Sequence, residues 1–228
     1  MPLPARIAIA RRDRLLSWEA QPRTLPLDGS PGAPWLMVPP EVRADFDRIE
    51  SAGVTLSDSR FGRPLLGVKT GCNDAFLVQA LDGPEERIPT GAEVRRVAAN
   101  ASIGAIEGPL LRPLLRGEQV RAWHAPSDDA RIIWTHDAAG APLPRLPLGA
   151  AEWLAPWSRR LEARTDGQGR GPWWQLFRID AARTDRPRVV WGDIGRTPRA
   201  LVLPAGDPTV ALNSCYAVIA PNEIGRAH

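Results

Sequence analysis

Proline and glycine, spread along the whole chain, limit how long any regular element can be. The 228 residues include 24 prolines and 20 glycines, and both residue types interrupt helices and strands. We therefore expect short elements joined by many loops. Short apolar runs of the strand type alternate with a few helical patterns. This predicts a mixed α+β fold of mainly antiparallel short strands with a few peripheral helices.

The N-terminal stretch differs in composition from the rest of the chain. Residues 21–34 carry four prolines and two glycines, and residues 1–34 show no sustained hydrophobic period. We expect an N-terminal arm or linker over residues 1–34 and one domain over residues 35–228. A helix should open at Pro39-Pro40-Glu41, because proline fits a first helical turn, and Gly53 suits its end.

Further elements follow from periodicity. A hairpin is expected from strands at 64–69 and 75–80, with residues 70–74 as its turn. A helical pattern covers residues 150–164, with Pro156 as a kink or a start. Residues 94–97 and 103–106 look like short strands or irregular pieces, and residues 110–115 lead through 116–118 to 120–123 as an apolar hairpin. Short strands are also expected at 132–134, 188–192 and 217–220.

Charge and cysteine content set the broad class. The formal charge of +3 is compatible with nucleic-acid binding but does not require it. No apolar run approaches the ~18 residues of a membrane span, and residues 1–10 lack the apolar core of a signal peptide. The two distant cysteines form neither a zinc spacing nor a disulfide framework, which favours a cytoplasmic protein.

Common catalytic and cofactor motifs do not occur. The pair Lys69-Thr70 lacks the glycine spacing of a phosphate-binding loop, and no dinucleotide fingerprint is present. His124 and His136 have no carboxylate at ligand spacing, so no metal site is expected. In Val38-Pro39-Pro40-Glu41, valine cannot accept a hydrogen bond and glutamate cannot stack on a base, so this is not a methyl-transfer tetrad. No catalytic residue is assigned.

The least generic segment surrounds the single lysine. Of 29 basic residues only Lys69 is not arginine, and it lies in Gly67-Val68-Lys69-Thr70-Gly71-Cys72-Asn73-Asp74-Ala75-Phe76. A lysine can contact phosphate or guanine, threonine can donate to phosphate, and asparagine can pair bidentately with adenine. Gly67 and Phe76 fit structural roles, as backbone room and core packing.

Residues 67–76 resemble the signature G-[IV]-x-T-G-x-N-x-A-F of the TaqI-like target-recognition domain, which is the specificity part of many adenine-N6 DNA methyltransferases and restriction-modification enzymes. Five further pieces occur in the order of that family, so the likeness covers roughly residues 35–220. These pieces lie at residues 111–120, 153–164, 172–176, 188–191 and 212–216.

The resemblance implies sequence-specific recognition of double-stranded DNA, in restriction-modification or phage defence. It implies that S-adenosylmethionine binds to a catalytic domain that this sequence does not contain, so a separate methyltransferase chain is an expected partner. Because family chains run on past the last matching strand, we expect this chain to be C-terminally truncated.

Eight residues are candidates for DNA contact. The arginines could track phosphates, and one indole of the pair Trp173-Trp174 could project from its loop and stack on a base. The candidate residues are Lys69, Thr70, Asn73, Arg112, Arg116, Arg160, Arg164 and Trp174.

Two other interpretations stay open. The chain could be a truncated or split-gene fragment that docks on a separate methyltransferase or nuclease. It could also be a hydrolase in which Cys72 is paired with His124 or His136.

Overall fold

The fold was analysed in a computed structural model, which describes residues 5–10, 15–27, 30, 32–83, 86–87, 91–121, 129–165, 171–195 and 197–221. The chain divides into two compact units, residues 1–55 and 56–228.

The first unit combines a hairpin with one helix. Strands β1 (Ala5–Ala10) and β2 (Leu15–Ala20) pair antiparallel, and helix α1 spans Pro40–Ser51. The helix start at Pro40 is confirmed, whereas the strands differ from the linker expected over residues 1–34. Arg43 of α1 donates hydrogen bonds to the carbonyl oxygens of Thr24, Pro26 and Leu27. These bonds join the helix to the proline-rich stretch, so residue 34 is not a boundary.

The second unit contains three further helices and eleven strands among its described residues. The helices are α2 (Asn73–Phe76), α3 (Leu148–Leu154) and α4 (Ser158–Glu162). The strands are β3 (Leu65–Leu66), β4 (Leu77–Ala80), β5 (Glu86–Arg87), β6 (Glu93–Ala99), β7 (Ser102–Glu107), β8 (Leu111–Leu115), β9 (Ala130–Ile133), β10 (Arg188–Gly192), β11 (Ala200–Leu203), β12 (Val210–Ala211) and β13 (Cys215–Ile219).

Two sheets organise these strands. One has the order β11-β10-β13-β3 and is antiparallel throughout. The other has the order β12-β8-β9-β4-β6-β5, with β7 also paired to β6, and it contains one parallel pair, β12 with β8. The expected α+β class with mainly antiparallel short strands is therefore confirmed.

Strands β8 and β12 lie between two apolar cores. Leu114 and Val210 belong to the larger core, together with Phe76 and Ile132. The next residue of each strand, Leu115 or Ala211, belongs to the smaller core. Successive side chains of a strand point to opposite faces, so these two short strands contribute to both cores.

The hairpin predicted at residues 64–80 does not form. Strand β3 pairs with β13 in the first sheet, whereas β4 pairs with β6 and β9 in the second. The backbone N–H groups of Gly67 and Val68 donate to Cys215 and Ala211. Remote strands therefore take the donors that a local hairpin would need, and the segment passes from one sheet to the other.

The helical pattern at residues 150–164 is interrupted at Pro156. Of the two expected alternatives, a kink or a helix start at this proline, the structure shows the kink. Helix α3 ends at Leu154, a 3-10 turn spans Ala155–Trp157, and α4 follows. Among the described residues, no helix is long and apolar enough to cross a membrane.

Candidate nucleic-acid interface

The segment between β3 and β4 forms a tight loop that its own side chains hold in shape. The Thr70 hydroxyl donates to Asn73 Oδ1 at 2.7 Å and accepts the backbone N–H of Cys72 at 3.1 Å. Gly71, between them, has a φ of 68°, a conformation that favours glycine. Thr70 is buried, so this hydroxyl shapes the loop and is not available to a DNA phosphate. This corrects the expectation that Thr70 contacts DNA.

Arg164 fixes the same loop from the interior. Its guanidinium donates to the carbonyl oxygens of Thr70, Trp173 and Gln175. The side chain is only 8% exposed and packs over the Phe177 ring at 4.8 Å. We therefore withdraw Arg164 from the DNA-contacting candidates. Its role is to join the loop to residues 173–175.

Two further contacts complete the support of the loop. Trp153 donates its indole N–H to the carbonyl oxygen of Ala75 at 3.0 Å. Lys69 and Phe177 exchange both backbone hydrogen bonds at 2.9 Å. Each end of the loop is thus attached to a different part of the unit.

The outer side of the loop is polar and open to solvent. Lys69, Asn73, Asp74, Arg160 and Asn213 line a shallow depression of about 360 Å³, and we call these five residues the loop surface. Lys69 is half-buried, and the other four are exposed. Two cationic side chains and one carboxylate give this surface a net positive charge. Arg160 lies 3.5 Å from Asp74, in an exposed pair that costs little to rearrange.

Asn213 is a residue that sequence reasoning missed as a candidate. Its backbone N–H donates to Val68 at 2.9 Å, which brings it beside Lys69. The available signal was its position in one of the matching pieces, at residues 212–216. Nothing in the local sequence pattern indicated that it would lie next to the loop.

Trp174 does not project as the sequence suggested it could. Its indole N–H donates to the carbonyl oxygen of Leu143 at 3.0 Å, and its own carbonyl accepts the Thr135 hydroxyl at 2.7 Å. Trp174 and Trp173 meet edge to face, and both pack against the larger core. The indole of Trp174 is therefore held against the protein, and we withdraw it as a base-stacking candidate.

The remaining two arginines lie near strand β8. Arg116 is half-buried and precedes Gly117, whose backbone N–H donates to the Ser214 hydroxyl at 3.0 Å. Arg116 is therefore next to a residue that is bonded to Ser214, and Ser214 directly follows Asn213. Arg112 lies within β8 and is not part of the loop surface. Its guanidinium carbon is 4.1 Å from the centre of the Trp134 ring.

The cysteine–histidine hypothesis gains no geometric support. Cys72 and His136 are both buried, and among the described residues the His136 ring has a hydrogen-bond contact only with Thr135, at 3.5 Å. His124 lies outside the described residues. Burial lowers the pKa of His136 to about 4 and raises that of the Cys215 thiol to about 12. At neutral pH His136 is therefore uncharged and Cys215 is protonated.

The described residues contain no group of histidine, cysteine and acidic side chains that could hold a metal ion. No protein-family model matches this chain, and no curated protein matches it significantly. The resemblance to target-recognition domains therefore stays a prediction.

Distant pieces of the predicted signature contact one another. Hydrogen bonds join the loop to residues 164 and 213, residue 164 to 175, and residue 117 to 214. A Cβ added to Gly67 would lie 2.1 Å from the Leu212 oxygen, so glycine is needed there. Phe76 is fully buried. The expected structural roles of Gly67 and Phe76 are thus confirmed.

Proposed function

We propose that this chain recognises double-stranded DNA sequence-specifically, as the specificity part of an S-adenosylmethionine-dependent adenine-N6 DNA methyltransferase of restriction-modification or phage defence. The observation that supports this most is the loop surface: a rigidly supported loop that presents polar and cationic side chains outward. Hydrogen bonds from Arg164, Thr70 and Trp153 support this loop.

A supported loop suits recognition because little conformational entropy is lost when it binds. Lys69 and Arg160 can neutralise phosphates, and the amides of Asn73 and Asn213 can pair with base edges. The carboxylate of Asp74 can accept a hydrogen bond from the amino group of a cytosine. The loop surface therefore combines side chains for phosphate contact with side chains for base contact.

Methyl transfer belongs, in this proposal, to a separate catalytic part. That part would bind S-adenosylmethionine and receive the flipped adenine, and it could be a second chain. The chain described here would position it on the DNA, in the cytoplasm. Purified protein should then bind DNA without transferring methyl groups.

Fluorescence anisotropy of purified protein with random-sequence duplex DNA tests this proposal at about 50 and 200 mM salt. We expect affinity to fall steeply with salt, and Lys69→Ala to reduce the log–log slope by about 0.9. Arg48→Ala is the matched control, because the exposed Arg48 is already paired with Asp45 at 3.0 Å and lies outside the loop surface. Absence of binding by folded wild-type protein would overturn the proposal.

A second candidate function is docking on a separate methyltransferase or nuclease chain. The observation that favours it is a groove beside the loop, lined by Trp153, Trp157 and Ile103, of which Ile103 is 63% exposed. Replacing Ile103 by aspartate should abolish such a complex and leave DNA affinity unchanged. Co-purification with the candidate partner chain measures the first effect.

A further inference from the structure

A second depression in the same unit contains Arg112, which forms no hydrogen bond or ion pair with the residues that the structure describes. Arg112, Asp137, Asp180, Arg183 and Asp185 line a space of about 410 Å³ beside Trp134. Arg183 and Asp185 are bonded to each other by two hydrogen bonds. The Arg112 guanidinium lies over the Trp134 ring, and none of the described residues accepts a hydrogen bond from it.

The partial burial of the Arg112 guanidinium and its contact with Trp134 favour a ligand with hydrogen-bond acceptors. Its guanidinium is partly removed from water, and this desolvation lowers its pKa. A planar guanidinium directs its five N–H donors within its own plane, so contact of its face with the indole leaves them available. The contact with Trp134 also restricts the side chain, which reduces the entropy lost when the donors bind an acceptor.

The charges around Arg112 disfavour a phosphate as that ligand. The described residues lining the depression carry two guanidinium groups and three carboxylates, a net charge of −1. The loop surface, by contrast, carries two cations and one carboxylate. Phosphates are therefore expected at the loop surface, and Arg112 suits a neutral ligand with two neighbouring acceptors and a nearby donor.

A G·C base pair has this arrangement in the major groove. Guanine presents O6 and N7 as neighbouring acceptors, and the paired cytosine presents its N4 amino group as a donor. The fork of an arginine binds the two guanine acceptors together, and a carboxylate accepts from the cytosine amino group. Asp137 and Asp180 are exposed and supply such carboxylates at the rim.

We propose that Arg112 is a specificity-determining residue that reads one G·C pair of the target site through guanine O6 and N7. This inference rests on the proposed function, and it gives Arg112 a base contact in place of the phosphate contact expected from sequence. The backbone places the two surfaces close together. Lys69 of the loop surface pairs with Phe177. Asp180 of the depression lies three residues after Phe177, and three residues of chain span at most about 11 Å.

Selection of bound duplexes from a random library, followed by sequencing, tests this proposal on wild type, Arg112→Ala and Arg112→Lys. The lysine variant keeps the charge and the contact with Trp134 but lacks the fork, so it controls for misfolding. Arg48→Ala, which removes an exposed arginine outside the depression, controls for loss of a cation. Thermal melting confirms that each variant is folded.

We expect the wild-type site to contain a G·C pair whose preference, about 5- to 150-fold, disappears in both Arg112 variants. Preferences at other positions should remain, and Arg48→Ala should match wild type. Placing 7-deazaguanine at that position removes N7 and should weaken wild-type binding roughly tenfold, but not binding of Arg112→Ala.

Four results would overturn the inference. Arg112 variants that keep every wild-type base preference show that Arg112 reads no base. Variants that lose affinity equally for all sequences show a phosphate contact. Wild type that binds DNA without base preference refutes the inference and leaves DNA binding intact, whereas wild type that binds no DNA refutes the proposed function as well.

Discussion

Two arginines four positions apart near the loop have opposite roles. Arg160 is exposed on α4, whereas Arg164 is buried and bonded to four carbonyl oxygens. In a continuous helix up to residue 164, both would lie on one face, because residues i and i+4 lie on the same side of a helix. The helix ends at Glu162, so Arg164 no longer follows that face. A helix end set by tertiary contacts could not be predicted from local periodicity.

Stability and DNA affinity should therefore separate at these two positions. Arg164→Met leaves three interior carbonyl oxygens without a donor, and we expect a loss of roughly 3–5 kcal/mol in unfolding free energy. Arg160→Ala removes only an exposed ion pair, so stability should change by less than about 1 kcal/mol, while DNA affinity falls. Urea unfolding and anisotropy measure the two effects. Equal stability losses would contradict the roles assigned here.

His136 should make stability depend on pH. The folded protein keeps it neutral down to about pH 4, whereas the unfolded chain takes up a proton near pH 6.5. Between these values the unfolded state binds more protons, so this contribution is complete above pH 6.5 and is lost as pH falls towards 4. We expect a loss of about 2–3 kcal/mol between pH 7 and 4.5.

Urea unfolding at both pH values, in wild type and in His136→Gln, tests this expectation. The variant lacks the titrating group and should lose that part of the pH dependence. An unchanged pH dependence in His136→Gln would show that other groups cause it.

At the scale of elements, the sequence predicted strand positions better than strand partners. Strands β6, β8, β9, β10 and β13 lie at or within two residues of their expected positions, because each is a compact apolar run. The 64–80 hairpin failed because the partners of β3 and β4 are remote in sequence. Strand β12 was missed because its two residues become a strand only by pairing with β8.

The turn between β6 and β7 stores backbone strain that a substitution should relieve. Asn100 and Ala101 both have positive φ, 49° and 64°, and a two-residue turn of this kind favours glycine at its second position. We expect Ala101→Gly to raise the unfolding free energy by about 0.5–1 kcal/mol. Ala98→Gly, within β6, should instead lower it by a similar amount. Destabilisation by both substitutions would contradict the strain at Ala101.

The close approach at Gly67 predicts a large effect from a single methyl group. In Gly67→Ala the new Cβ would lie 2.1 Å from the Leu212 oxygen, so the backbone must move. We expect a loss of more than about 2 kcal/mol in unfolding free energy. Gly195→Ala is the control, because its nearest atom is the Thr197 oxygen at 3.4 Å. Similar melting temperatures for the two variants would show that this approach is not tight.

At the scale of the whole molecule, the candidate site gathers residues that are distant in sequence. Lys69 and Asn73 were recognisable from the unusual composition of their segment, and Arg160 from its place in a helix. The position of Asn213 beside Lys69 and the contact of Arg112 with Trp134 could not be predicted from sequence, because both join residues that are distant along the chain. The sequence thus predicted the centre of the loop surface but not its full extent.

The central claim is that the loop surface contacts DNA. Site-specific cross-linking tests this most directly, with a photoreactive thiol reagent on Asn73→Cys. The native Cys72 and Cys215 are 4% and 0% exposed, so the new thiol should react selectively. The control is Val202→Cys, 46% exposed on β11, which lies three strand spacings, roughly 14 Å, from β3 in the same sheet. We expect residue 73 to cross-link to duplex DNA far more than residue 202, with competition by unlabelled duplex. Equal yields at both positions, or no cross-link at residue 73 in protein that binds DNA, would contradict the account.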